Sequence, residues 1–230
     1  SGLRVRMACL ILLAGAAVTW SATPPSVVHG QPPAAPRFKA VAFDYFVLFN
    51  PDSLVADVDR VFPGKGRELT NLWLTRQFEY AWLRSMTNRC VEFFTITRDA
   101  LVYAANAMQL ALTPESTRRL MDSYLHLAPW PDTADTLRTL RASGIRVITI
   151  ANFSPRMLRS NAESAGLIGL FDALISTDAN KTYKPDPRAY RLGTDHLHLA
   201  KQDILFTAFG GWDAAGAKAS GYPTFWVNRF

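Results

Sequence analysis

The stretch KAVAFDYFVLF at residues 39–49 decides the fold prediction. Its first part, residues 39–44, is a short apolar run that ends on an acid, which is typical of a strand buried in a parallel sheet. Open α/β sheets bind ligands at the carboxyl ends of their strands. Asp44 is therefore the first candidate for a reacting group.

The residues after this stretch divide into a helical block and an alternating block. Residues 52–126 contain only helix-like segments, such as 69–86 and 97–108, and Thr113-Pro114-Glu115 has the form of a helix start. Beyond this block, strands are predicted at 145–151, 173–176, 204–208 and 224–227, and helices at 131–143, 155–165, 187–199 and 212–220. Alternation of this kind predicts an α/β fold with a Rossmann-like, doubly wound parallel sheet.

The helical block predicts the domain organisation. Because it follows the first strand, we expect it to form a helical cap at 52–126, inserted over the carboxyl edge of the sheet. The α/β core is then expected at 37–51 and 127–230.

The first 36 residues have the composition of a leader followed by a linker. Arg4 and Arg6 precede an apolar run at 7–18, which predicts a signal peptide at 1–22, too short for a membrane span of about 20 apolar residues. The five prolines in 23–36 predict a flexible linker. We expect a secreted or periplasmic protein without a membrane span after processing, or a cytoplasmic one if the leader is not a true signal.

Composition narrows the class of partner. Apolar residues make up 49% of the chain and charged residues 19%, a balance that supports a globular core. The net charge of +6 is spread without a dense basic run, so we expect no nucleic-acid partner. Only Cys9 and Cys90 occur, which excludes a framework of several disulfides and zinc-ligand spacing. The expected partner is a small-molecule substrate.

Four polar residues follow four predicted strands: Asp44, Asn152, Lys184 and Asp213. Singly, each has an ordinary explanation as a helix cap or a solvated loop residue. Together they should converge on one edge of the sheet. A carboxylate there can act as a nucleophile, a lysine can neutralise charge, and a second acid can bind a cation or position water.

Five motifs carry a resemblance to a known family: AVAFDYFVLFN (40–50), QFEYAWLRSMTNR (77–89), VITIANFSP (147–155), YKPDPRAY (183–190) and GWDAAGAKASGYPTFWVNR (211–229). They resemble the haloacid dehalogenase superfamily, and most of all its metal-independent (S)-2-haloacid dehalogenase branch, over about residues 38–229. The resemblance implies that Asp44 displaces halide from the C2 atom of the substrate and forms an ester, which water hydrolyses. It implies supporting catalytic roles for Asn152, Lys184 and Asp213, no metal or other cofactor, and a homodimer. It also implies substrate-binding roles for Tyr45, Phe78, Phe93, Tyr190 and Trp212.

This chain departs from the family pattern at polar positions. Val47 stands where the family has a threonine, and Leu74 where it has a cap arginine beside the halide. Ala151 replaces a serine that contacts the substrate carboxylate, and Ala208 and Gly210 replace two polar residues near the hydrolytic water. Hydrogen bonds to charged groups are commonly worth about 1.5–3 kcal/mol each. We therefore expect weak activity or an altered substrate.

Two alternatives remain open. A magnesium-dependent phosphatase of the same superfamily would need an acid where Phe46 stands, and more than one carboxylate near Asp213, where Gly210 and Gly211 bring none. Magnesium is expected only in that case. The second alternative is a non-catalytic binding protein with the same fold, which the apolar side chains around Asp44 would suit.

Overall fold

A computed structural model describes residues 37–230. The predicted leader and linker lie outside the described residues, so their assignment stays a prediction. No helix within the described part is long and apolar enough to cross a membrane.

The core is one sheet of five parallel strands. They are β1 (Ala40–Phe43), β2 (Arg146–Ala151), β3 (Ala173–Ser176), β4 (Ile204–Ala208) and β5 (Thr224–Trp226). Their order is β3-β2-β1-β4-β5, so the chain leaves the central strand in one direction and later returns to its other side. This confirms the doubly wound α/β fold, and it puts the point where the winding reverses between β1 and β4.

The helices follow the predicted order. They are α1 (Tyr45–Leu48), α2 (Leu54–Val61), α3 (Gly66–Met86), α4 (Phe93–Ala107), α5 (Pro114–Ser123), α6 (Thr133–Ala142), α7 (Pro155–Ser164), α8 (Pro187–Leu197) and α9 (Gly211–Ala219). The predicted start of α5 is confirmed, because the Thr113 hydroxyl accepts from the Ser116 N–H at 3.1 Å and the Ser116 hydroxyl accepts from the Thr113 N–H at 2.9 Å.

The two faces of the sheet bury different side chains. Val41 and Phe43 of β1 belong to the apolar core that also receives the helices between β1 and β2. Ala40 and Ala42 point to the opposite face, where they pack in a smaller cluster under α8 and α9. This alternation with a period of two leaves no polar side chain on β1 before Asp44.

Two side chains of the core hold α3 and α4 in place; we call α2 to α5 the cap helices. The hydroxyls of Ser85 at the end of α3 and Thr182 in the core are 2.8 Å apart. The Asp178 carboxylate accepts from the Phe93 N–H at 3.3 Å. Burial raises the pKa of Asp178 to about 6, although hydrogen bonds from Tyr183 and Phe93 lower it. The N-terminus of α4 is thus anchored on the core, which fixes where its first turn lies.

Candidate active site

Asp44 is held at the carboxyl edge of the central strand. Its backbone N–H donates to the Thr207 carbonyl of β4 at 2.8 Å, which continues the sheet by one residue. Its side chain caps α1, with Oδ2 accepting from the Phe46 N–H at 3.2 Å. The side chain is 15% exposed, so the core orients the carboxylate and a substrate can still reach it.

The Lys184 ammonium forms ion pairs with two carboxylates. Its Nζ lies 2.7 Å from Asp44 Oδ1 and 2.6 Å from Asp213 Oδ2. The side chains of Lys184 and Asp213 are 0% and 1% exposed, so this ion triad is nearly removed from water. The predicted convergence of these three residues on one sheet edge is confirmed.

The charges of the triad depend on one another. Burial would lower the pKa of Lys184, but attraction to Asp213 and Asp44 outweighs it, so the pKa is raised and the lysine stays a cation. Burial raises the pKa of Asp213 to about 6, Lys184 opposes that rise and Asp44 adds to it. One buried cation is therefore shared by two acids, and Asp213 changes charge just below neutral pH.

Tyr190 orients the second acid of the triad. Its hydroxyl donates to Asp213 Oδ1 at 2.7 Å, and its side chain is fully buried. This approach needs a glycine at 216, since a Cβ there would lie 2.5 Å from the Tyr190 hydroxyl oxygen. The hydroxyl is thus engaged by Asp213, and a direct contact with substrate stays a prediction.

Asn152 supports Lys184 through the backbone. Its Oδ1 accepts from the Lys184 N–H at 2.8 Å and from the Thr177 hydroxyl at 3.1 Å, and its Nδ2 lies 3.3 Å from the Lys184 carbonyl. Both ends of the carboxamide are therefore used to fix the loop that carries the lysine. In this structure Asn152 is a positioning residue.

An aromatic wall stands beside the triad. Phe46, two residues after Asp44, packs edge-on against Phe78 of α3 at 6.3 Å between ring centroids. Phe78 in turn lies 5.5 Å from Trp212, the residue before Asp213. The predicted pocket residues Phe78 and Trp212 are thus brought together by a cap helix and the core.

The other two predicted pocket residues lie deeper. Phe93 is buried at the start of α4 and stacks on Phe153 at 5.7 Å. Tyr45 is also fully buried, and its hydroxyl donates to the Leu158 carbonyl at 2.7 Å. The Tyr45 side chain therefore serves the packing of α1 against α7, and its contact with substrate stays a prediction.

Two of the apolar residues that depart from the family pattern lie inside the core. Val47 and Ala151 are fully buried, so neither position offers a polar side chain to the triad. Arg76 does not take the place of the missing arginine: it pairs with Glu79 at 2.7 Å, and its guanidinium lies 3.9 Å from the centre of the Tyr103 ring.

Two buried polar residues, Gln77 and Tyr124, were not predicted from the sequence. One signal was available for the first: it occurs at every fourth position of a buried stripe on α3, between Trp73 and Ala81. No comparable signal exists for Tyr124, because a tyrosine at a helix end is most often an ordinary core aromatic.

No three Asp, Glu, His or Cys side chains within residues 37–230 are grouped so that they could hold a metal ion. Whether the protein uses a cofactor stays a prediction. Asp44 and Asp213 are the two acids of the triad, and the Lys184 ammonium pairs with both.

Comparison with known proteins gives a consistent result. The family model for haloacid dehalogenase-like hydrolases matches residues 49–221. The (S)-2-haloacid dehalogenase of Pseudomonas sp. (strain YL) is 42% identical over 83% of each chain. The haloacetate dehalogenase H-2 of Moraxella sp. (strain B) is 38% identical over 84% of this chain and 87% of its own.

A solved structure agrees with these relatives. The L-2-haloacid dehalogenase of Xanthobacter autotrophicus, with chloropropionic acid covalently bound, superposes with a TM-score of 0.80 at 34% identity, over 84% of this chain and 78% of that one. These relatives are hydrolases that act on carbon–halide bonds. With this fold, this triad and these matches, the chain belongs to the haloacid dehalogenase-like hydrolase family.

Proposed function

We propose that this protein hydrolyses the carbon–halogen bond of a small 2-halo acid, with Asp44 as the nucleophile and an aspartyl ester as the intermediate. The observation that carries this is the buried Lys184 ammonium between two carboxylates, of which only Asp44 is partly exposed. The relatives with this activity support it, and the covalent binding of chloropropionic acid in the Xanthobacter structure agrees with an intermediate that is covalently joined to the enzyme.

In the first step one oxygen of Asp44 attacks C2, and the halide leaves with the pair of electrons from the broken bond. Lys184 donates to Oδ1, whereas Oδ2 accepts only the longer contact from Phe46, so Oδ2 keeps the more basic lone pairs. We assign the attack to Oδ2. The aromatic wall places apolar rings next to the residues of the triad, and an apolar surrounding favours attack on carbon over solvation of the carboxylate.

In the second step water attacks the aspartyl carbonyl carbon and releases the 2-hydroxy acid. The carbonyl oxygen of the ester is then Oδ1, and Lys184 Nζ at 2.7 Å stabilises the negative charge that develops on it. Asp213, with a pKa of about 6, is ionised at neutral pH and basic enough to accept the proton that water loses. It returns this proton to the departing oxygen, which becomes the hydroxyl of the product. The second proton of the water is released to solvent as the Asp44 carboxylate forms again. The regenerated Asp44 carboxylate carries one oxygen from water.

A substrate panel tests this function directly. The protein is incubated with 2-halo acids, halo-amides and phosphate esters, each with magnesium and with EDTA, and released halide and phosphate are measured. We expect halide release that survives chelation, because a single acid near the end of β4 makes a poor magnesium site. Phosphate release that EDTA abolishes and magnesium restores would support the phosphatase instead, and no product from any substrate would support a binding protein.

A Tyr190→Phe variant tests the role of Asp213. The Tyr190 hydrogen bond lowers the pKa of Asp213 by stabilising its ionised form, so its loss raises that pKa above about 6. Since protonated Asp213 can neither accept a proton nor hold Lys184 as strongly, activity is lost as the pH falls. We expect the acid limb of the kcat profile to move to higher pH.

The matched control is Tyr222→Phe, which also removes a buried hydroxyl but one that donates to the Tyr190 carbonyl at 2.6 Å. This control should lower thermal stability and leave the acid limb in place. If both variants leave the profile unchanged, Asp213 is not the group that sets the acid limb.

A further inference from the structure

Two buried polar side chains near Asp44 have no hydrogen-bond partner among residues 37–230. They are Gln77, through both the oxygen and the nitrogen of its carboxamide, and Tyr124, through its hydroxyl. Both residues are 0% exposed. More than about nine in ten buried polar groups in proteins are satisfied, so two unsatisfied groups close together need an explanation.

Gln77 lies on α3, and Tyr124 directly follows α5. Gln77 is one helical turn after Trp73 on α3, and the Trp73 ring lies 5.2 Å from the ring of Tyr124 at the end of α5. Tyr124 packs on Phe153 at 5.6 Å, and Phe153 packs on Phe46 at 5.2 Å. A chain of contacting rings thus connects these two groups to the residues beside Asp44.

The electrostatics agree with this placement. Burial raises the pKa of the Tyr124 hydroxyl, the Gln77 carboxamide lowers it because it approaches within reach of a hydrogen bond, and the Asp44 carboxylate raises it further. Both neighbours therefore act on the charge of the hydroxyl. Within the described part of the chain, neither the hydroxyl nor the carboxamide completes a hydrogen bond of normal geometry. Uncharged donors buried among apolar rings suit an anion that forms only during the reaction.

We propose that the Gln77 carboxamide N–H and the Tyr124 hydroxyl bind the halide as it leaves C2. The inference rests on the proposed function. As the bond from Asp44 to C2 forms and the carbon–halogen bond breaks, the halide takes the bonding electrons. The two donors then hydrogen-bond to the halide anion. Position 74, where this chain has leucine, is one turn before Gln77 on the same face of α3. Two neutral donors thus act in a pocket that has no arginine at that position.

The chemistry of the donors sets the expected specificity. Neutral hydrogen bonds stabilise an anion less than a guanidinium does, so the enzyme depends more on the leaving group. Chloride accepts stronger hydrogen bonds than bromide, and the carbon–chlorine bond is harder to break. Removing a donor should therefore slow a chloro substrate more than the matching bromo substrate.

The experiment measures single-turnover halide release from 2-chloropropionate and 2-bromopropionate in wild type, Gln77→Leu and Tyr124→Phe. We expect each variant to lose roughly 10-fold or more with the chloro acid and clearly less with the bromo acid. The matched control is Thr70→Val, which removes another buried hydroxyl without a partner, two turns earlier on the same helix. It should change neither rate, while all three variants should melt no lower than wild type.

A Gln77→Leu/Leu74→Arg double variant adds a rescue: an arginine one turn away should restore much of the chloro rate. Equal losses with both halides, or no loss in either variant, would overturn the proposal, since the two groups would then not contact the leaving atom.

A second measurement does not need turnover. Sodium bromide is titrated against sodium sulfate at equal ionic strength while tryptophan fluorescence is followed, because Trp73 contacts Tyr124. Where wild type turns over, the ratio of chloro to bromo rates decides the question. Where it does not, saturable quenching by bromide that is lost in Gln77→Leu and kept in Thr70→Val establishes the halide site although the proposed reaction fails. Quenching that is equal in wild type and in both variants overturns the proposed halide site.

Discussion

Replacing Asp44 with asparagine should abolish halide release while leaving the fold intact. The amide is nearly isosteric and can still accept from the Phe46 N–H to cap α1. It is a far poorer nucleophile, and loss of the nucleophile in an enzyme that forms a covalent intermediate costs about 10⁴–10⁶ in kcat. Halide release under saturating substrate measures the loss, and circular dichroism checks the fold.

Two further observations make this result specific. Asp135→Asn is the matched control, since Asp135 has an 88% exposed side chain and pairs with Arg138 one turn along α6. It should keep full activity. In addition, a single wild-type turnover in heavy-oxygen water should place one heavy oxygen in the peptide that contains Asp44. Label found only in the product, together with activity in Asp44→Asn, would mean that water attacks C2 directly.

Replacing Lys184 with methionine should have the second large effect, on both stability and activity. Lys184 is the cation for Asp44 and Asp213, and its own side chain is 0% exposed. Breaking a buried ion pair by removing one partner typically costs about 3–5 kcal/mol, because the remaining charge is left uncompensated. Chemical denaturation at pH 7 should show a loss of this order, and halide release should fall to background.

The pH dependence of that variant identifies the cause. Lys184 opposes the rise that burial causes in the pKa of Asp213. Without the cation that pKa rises further, so the folded state binds a proton that the unfolded state has already released. The destabilisation should therefore be largest above neutral pH and shrink as the pH falls. A Lys184→Met/Asp213→Asn double variant should recover part of the stability and none of the activity.

The matched control for Lys184→Met is Lys39→Met. Lys39 pairs with Asp203 at 3.0 Å, but its side chain is 64% exposed, and exposed pairs are worth about 1 kcal/mol or less. A loss as small in Lys184→Met as in this control would show that the triad does not stabilise the fold in the way the geometry indicates.

The sequence was sufficient for the elements and for the edge where the site lies. Strand and helix patterns are local, with periods of two and about 3.6 residues, so β1 and the alternating segments after residue 127 could be predicted from short windows. Parallel strands end on the same edge, so acids and a lysine that follow different strands had to come near one another. Asp44, Lys184 and Asp213 were found in this way, and the family motifs pointed to the same three residues.

Helix starts were predicted less well where a distant residue provides the cap. The helix expected from residue 69 begins at Gly66, whose N–H donates to Asp59 at 3.1 Å. The helix expected from residue 97 begins at Phe93, whose N–H is accepted by Asp178, 85 residues further along the chain. No local window contains that partner.

The roles of individual side chains were decided by tertiary structure alone. The family resemblance implied catalysis for Asn152 and substrate binding for Tyr190, and the packing brings Asn152 to the Lys184 backbone and Tyr190 to Asp213. Gln77 and Tyr124 are 47 positions apart in the chain, and only the packing of α3 against the residue after α5 brings them together. The sequence by itself determined which chemical groups reach this edge of the sheet, because strand direction is set locally. Which groups pair there, and which stay unpaired, depends on contacts between distant segments, and these exist only once the cap helices pack on the core.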